Sequence, residues 1–81
     1  MHPLIDQNFR PHTSLLKSGY TVNIELGDLA QHKQVWHDQV WRVTVTMPSG
    51  EIEWVVFRGS KCRVETIKWL KTITAGVIDS I

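Results

Sequence analysis

The sequence is poor in the residues that staple or metallate a small fold. Cys62 is its single cysteine, and His2, His12, His32 and His37 never stand at the i, i+4 spacing that sets two imidazoles on one side of a helix. An internal disulfide and a thiolate metal cluster are excluded, so stability has to come from packing. Apolar runs reach only a few residues, as at Val55-Val56-Phe57, against the roughly 20 that a membrane span requires. Charge of one sign is scarce as well. With Lys+Arg 9 against Asp+Glu 8, no whole-molecule field draws in phosphate backbones, and nucleic-acid binding would need a local patch. The glycines are scattered and form neither GxGxxG nor GxxxxGK[ST], so no phosphate loop is expected. Met1 to Asp6 has neither a cationic nor an apolar leader region, and the chain is expected to stay in the cytoplasm.

What remains is 81 residues, 42% hydrophobic and 21% charged, enough for one domain with one thin core. A deep, walled catalytic cavity is not expected in so small a body. Tryptophan is the one excess. Trp36, Trp41, Trp54 and Trp69 carry roughly 150 to 250 Å² each, too much for all four to be fully buried in such a core.

Residues 1 to 19 show no sustained period and read as an extended arm, tacked to the core at Leu15-Leu16 and ended by a Ser18-Gly19 turn. From 20 to 26 strict alternation sets Tyr20, Val22, Ile24 and Leu26 against Thr21, Asn23 and Glu25, the pattern of a half-buried strand. Asp28 with Gln31 forms a capping-box pattern that opens a short helix over 29–37, with a structured loop as the competing reading because Val35 breaks the helical face. Alternation returns over 39–47 with β-branched residues on both faces, and again over 51–58. Between them Pro48-Ser49-Gly50 predicts a three-residue hairpin loop: Pro48 presets a negative φ, and Gly50 takes the left-handed bulge position. That loop pairs Val43 with Val55 and Trp41 with Phe57 on one face. On the other it pairs Thr46 with Ile52, Thr44 with Trp54 and Arg42 with Val56. Ser60 is placed to cap a long helix over 61–78, weakened near its end by Gly76.

The assembled expectation is an α+β domain over 20–81: a three-stranded antiparallel sheet packed on one face by one long C-terminal helix, preceded by the arm. A single helix shields a single sheet face. With Trp41, Val43, Val45, Val55 and Phe57 beneath it, the face carrying Ile52, Trp54, Val56, Arg42 and Thr44 is left without a regular element to cover it.

Catalytic constellations are weak. His37-Asp38 are chain neighbours, poor geometry for a dyad, because adjacent side chains diverge on a strand and on a helix alike. Cys62 between Lys61 and Arg63 stands where a thiol pKa is lowered, but a cysteine-based enzyme would also need a convergent histidine, and a small buried or half-buried side chain is the favoured reading. No catalytic residue, cofactor or metal is expected. Arg58, Lys61, Arg63, Lys68 and Lys71 gather cations around the start and along the last helix, where the helix dipole would prefer carboxylates; Glu65 or an anionic partner would compensate. A sheet followed by a helix with a basic start is loosely similar to the double-stranded RNA-binding domain over about residues 20 to 75. The family's Gly-Pro-x-His type loop and its lysine- and alanine-rich final helix are missing, so no residue role is carried over.

Two functions of different class follow. The first is a non-enzymatic protein-binding module that acts by occlusion or assembly. Its partner-binding residues are Trp54, Ile52, Val56, Arg42 and Thr44, with Trp36 nearby, and it binds another protein or a second copy of itself, as small phage- or plasmid-type inhibitors and immunity-like proteins do. The second is nucleic-acid binding through Arg58, Lys61, Arg63, Lys68 and Lys71, with tryptophan for base stacking.

Overall fold

The computed structural model describes residues 9–27 and 39–81. Four strands and one helix follow in order: β1 Arg10–Lys17, β2 Tyr20–Gly27, β3 Gln39–Thr46, β4 Ile52–Gly59 and α1 Cys62–Ile73. Each strand pairs antiparallel with the next in sequence, giving one sheet of order β1-β2-β3-β4. The broad α+β reading holds, and the strand count is corrected from three to four. The added strand comes from within the segment expected to be an arm. It also stands where the double-stranded RNA-binding domain begins with a helix, so even the order of elements departs from that family. Trp36 and the short helix expected over 29–37 lie outside the described residues.

The local reasons are visible at each turn. Lys17 pairs with Tyr20 across Ser18 (φ 53) and Gly19 (φ 85), two left-handed residues whose twist matches that of the strands they join. In the second hairpin Met47 N–H donates to the Glu51 carbonyl over 2.7 Å and Gly50 N–H to the Met47 carbonyl over 2.9 Å, with Gly50 at φ 96. The loop is Pro48 to Gly50 as expected, and the expected pairs Val43 with Val55, Trp41 with Phe57, Thr44 with Trp54, Arg42 with Val56 and Thr46 with Ile52 all form.

Helix α1 covers the face expected for it. It packs against β3 and β4, and Cys62 and Leu70 join Val22, Ile24, Trp41, Val43 and Val45 in the buried cluster. The helix is shorter than 61–78, and its N-cap position holds Lys61 with no side-chain hydrogen bond, so Ser60 does not cap it. It ends at Thr74, after which Ala75 (φ 51) and Gly76 (φ 86) reverse the chain. Gly76 N–H closes the end by donating to the Lys71 carbonyl over 2.8 Å. Thr74 Oγ1 donates to the Leu70 carbonyl over 2.6 Å and accepts from Ile78 N–H over 3.0 Å, bringing buried Ile78 back onto the core with Val77 and Ile81 beside it. Val77 and Ile81 therefore reach the core through this return rather than through continued helix.

Among the described residues two buried polar side-chain atoms, Trp41 Nε1 and Thr66 Oγ1, have no hydrogen-bond partner. Each such group costs on the order of 1 to 3 kcal/mol relative to a satisfied one. Among the described residues no helix is long and apolar enough to cross a membrane.

Candidate functional site

Strand register sorts the second sheet face into rows. Leu16, Thr21, Thr46 and Ile52 form one row, and Ser14, Asn23, Thr44 and Trp54 the next. Pro11, Glu25, Arg42 and Val56 form a third, and Gly27, Val40 and Arg58 a fourth. Because side chains alternate along a strand, all of these point away from the face that holds Trp41, Val43, Val45 and the helix. At β1 the alternation is interrupted by a bulge between Pro11 and Thr13, which lets His12 turn its ring edge-on to Trp41 at 5.4 Å on the helix side.

The exposed apolar members of this face are concentrated at its rims; Val40 in the fourth row is fully buried, and the Phe9 ring lies against Gly27 beside it. Trp54 is 64% exposed and Ile52 60%, both on edge strand β4, while Leu16 on the opposite edge strand is 73% exposed. The middle is polar. Thr44 and Thr46 are half-buried, Ser14 Oγ donates to Asn23 Oδ1 over 3.0 Å, and Arg42 Nε donates to Glu25 Oε1 over 2.7 Å. The Arg42 guanidinium also lies 4.3 Å above the Phe9 ring, which fixes it as part of a stack. Its hydrogen bond holds the Glu25 carboxyl below its ordinary pKa and raises the Arg42 guanidinium. Near the bulge, Pro11, Ser14, Asn23, Glu25 and Thr44 line an open depression.

Five of the six residues expected for partner binding therefore lie on one face: Ile52, Trp54, Val56, Arg42 and Thr44; the sixth, Trp36, is outside the described residues. Arg42 is not a free rim cation, because Glu25 already engages it. The five cations of the alternative site are less gathered. Arg58 lies on the sheet face opposite α1, by register with Val40, and Arg63 Nη2 donates to the main-chain oxygen of Ile81 over 2.9 Å. Lys61, Lys68 and Lys71 follow one another at helical spacing along the exposed side of α1, with exposed Val64 between them. Sequence reasoning missed Leu16 on this face, because the irregular period around Pro11 hides the strand that presents it.

Cys62 is buried, its Sγ 3.2 Å from the Gly59 carbonyl and 3.5 Å from that of Phe57. Such a thiol faces oxygen acceptors rather than a substrate. Among the described residues no three His, Cys, Asp or Glu side chains gather as a metal ion requires. Comparison of the chain with protein-family models, with curated proteins and with solved structures finds no match.

Proposed function

We propose that the chain is a non-enzymatic protein-binding module that docks another protein, or a second copy of itself, on the sheet face opposite α1. The observation that carries this reading is Trp54: a large indole held 64% exposed on a regular strand, next to Ile52 at 60%. Removing what is left of that apolar surface from water is worth on the order of 2 kcal/mol for the indole alone. Thr44, Thr46 and the Arg42–Glu25 pair supply the polar surround that typically encloses such an anchor. The module acts by occupying a surface or building an assembly, not by chemistry.

The test is a photo-reactive phenylalanine analogue placed at position 54 and, separately, at exposed position 64 on the far side of the helix. In the native host, position 54 is expected to yield one discrete protein adduct that position 64 does not, and Ile52→Asp is expected to abolish it. Equal adducts from both positions, or none from 54, overturn the reading. Anisotropy with labelled oligonucleotides covers the nucleic-acid alternative: binding through Arg58, Lys61, Arg63, Lys68 and Lys71 would weaken steeply with salt. Tight, salt-sensitive binding would replace the protein-docking reading.

A further inference from the structure

The two edges of the sheet are built differently. Strand β1 carries the devices that blunt an edge: Pro11, which has no N–H, a bulge at Pro11/Thr13, and the cations Arg10 and Lys17. Strand β4 carries neither a proline nor a bulge, and its one cation, Arg58, stands at its helix end. Its pairing with β3 runs without a register shift over eight residues, it contains no proline, and among the described residues no strand lies on its outer side.

Which main-chain groups β4 offers follows from the hairpin. Met47 and Glu51 are bonded to each other, and in an antiparallel ladder the bonded pairs recur at every second residue. Glu53, Val55 and Phe57 therefore spend their N–H and C=O groups on β3. Ile52, Trp54, Val56 and Arg58 point theirs outward, and these same residues put their side chains on the face opposite α1. Charge is graded along the same edge, with Glu51 and Glu53 at the hairpin end and Arg58 and Lys61 at the helix end.

From these features we infer that two copies of the chain pair antiparallel through β4, joining their sheets into one of eight strands. The edge is self-complementary only in that direction. A two-fold axis across β4 sets the acidic end of one copy beside the basic end of the other, at an interstrand spacing of roughly 5 Å, well inside a Debye length of about 8 to 10 Å. A parallel alignment would bring like charges together. Pairing also lays Trp54, Ile52 and Val56 of one copy beside the same three of the other on a single face, so the main chain and the exposed apolar groups are satisfied together. The inference deepens the protein-docking reading by naming a second copy as occupant, and it adds the edge, which a face-on partner would leave open.

Sedimentation across a dilution series is expected to show reversible conversion of the 9.3 kDa chain to twice that mass. Amide hydrogen exchange distinguishes how it pairs. The Trp54 and Val56 amides are expected to exchange about tenfold or more slowly in concentrated than in dilute solution, whereas Val55 and Phe57, already bonded to β3, change little. Val56→Pro, which removes one outward N–H and spares the β3 ladder, is expected to stay monomeric with the far-ultraviolet circular dichroism of the parent. If that variant does not fold, charge reversal keeps the question decidable: Glu51→Lys/Glu53→Lys and Arg58→Glu/Lys61→Glu each lose self-association, and mixing them restores a dimer. A monomer at every concentration overturns edge pairing, while an adduct from position 54 to a different protein would leave the wider docking reading standing. A dimer whose Trp54 and Val56 amides stay as fast as in dilution overturns edge pairing in favour of face-on stacking, and a protected dimer that gives no adduct from position 54 retires the sheet face but not the edge.

Discussion

Arg42 Nε lies 2.7 Å from Glu25 Oε1, bridging neighbouring positions of β3 and β2 on the face opposite α1. The bond lowers the pKa of Glu25 in the folded chain. A carboxylate with a depressed folded pKa stabilises the fold above its unfolded pKa, and that contribution disappears as pH falls through the folded value. With side chains 39% and 29% exposed, water screens the pair, and a contribution of roughly 0.2 to 1 kcal/mol is expected. Glu25→Gln should lower stability by about that amount at pH 7. Urea titrations should find the difference from the parent vanishing in acid, below the normal carboxylate range.

Trp54→Ala should shift the unfolding free energy by no more than about 0.5 kcal/mol, because the indole is largely in water, while it weakens self-association. Leu70→Ala, at a fully buried position, should cost about 2 to 5 kcal/mol, and Val64→Ala on the exposed side of the same helix about 0.5 kcal/mol or less. Chemical denaturation of the three variants ranks them. A Trp54→Ala chain that unfolds like Leu70→Ala would mean that the indole is structural.

Thr66 and Thr74 are both fully buried, yet opposite outcomes are expected on conversion to valine. Thr66 Oγ1 has no partner, so Thr66→Val removes an unsatisfied hydroxyl at constant shape and should stabilise by about 1 kcal/mol. Thr74→Val strips Ile78 N–H of its acceptor and should cost about 1 to 3 kcal/mol. Thermal melts of the pair measure the contrast.

Gly27 leaves no room for a side chain: a Cβ there would sit 2.7 Å from Phe9 Cε1. Gly27→Ala should therefore push the ring out from beneath Arg42 and destabilise by about 1 to 3 kcal/mol, and the penalty should shrink in a Phe9→Ala background. A double-mutant cycle checks the coupling.

The second hairpin was legible in the sequence because every signal in it agreed. Pro48 and Gly50 specified one loop length, and that length fixed which of Ile52, Trp54 and Val56 share a face. Strand β1 was not legible. Its bulge breaks the period of two between Pro11 and Thr13, and Leu15-Leu16 places one leucine on each face, so the segment resembles neither strand nor helix. Periodicity also overran the true end of α1. Val77 and Ile81 continue the helical spacing beyond Ile73, but the left-handed Ala75 and Gly76 deliver them to the core by another route. Val64 fits the same spacing and faces water, because the inward stripe is Cys62, Thr66, Leu70 and Thr74. The exposure of Ile52 and Trp54 was legible because it follows from counting faces. Of the cations near α1, Lys61, Lys68 and Lys71 share one side of the helix, whereas Arg58 lies on the sheet and Arg63 bonds to Ile81, a division that no linear pattern reports.

Because every described strand bonds only to its neighbours in sequence, the ladder can zip one hairpin at a time, and the longest stretch of chain between paired strands runs from Gly27 to Gln39. Chains whose contacts are this local rank among the faster-folding sheet proteins, since little loop entropy is lost before each new pairing begins to repay it. Newly made chains would thus bury their apolar surface soon after β4 and α1 leave the ribosome, which shortens the time in which bare strands meet one another.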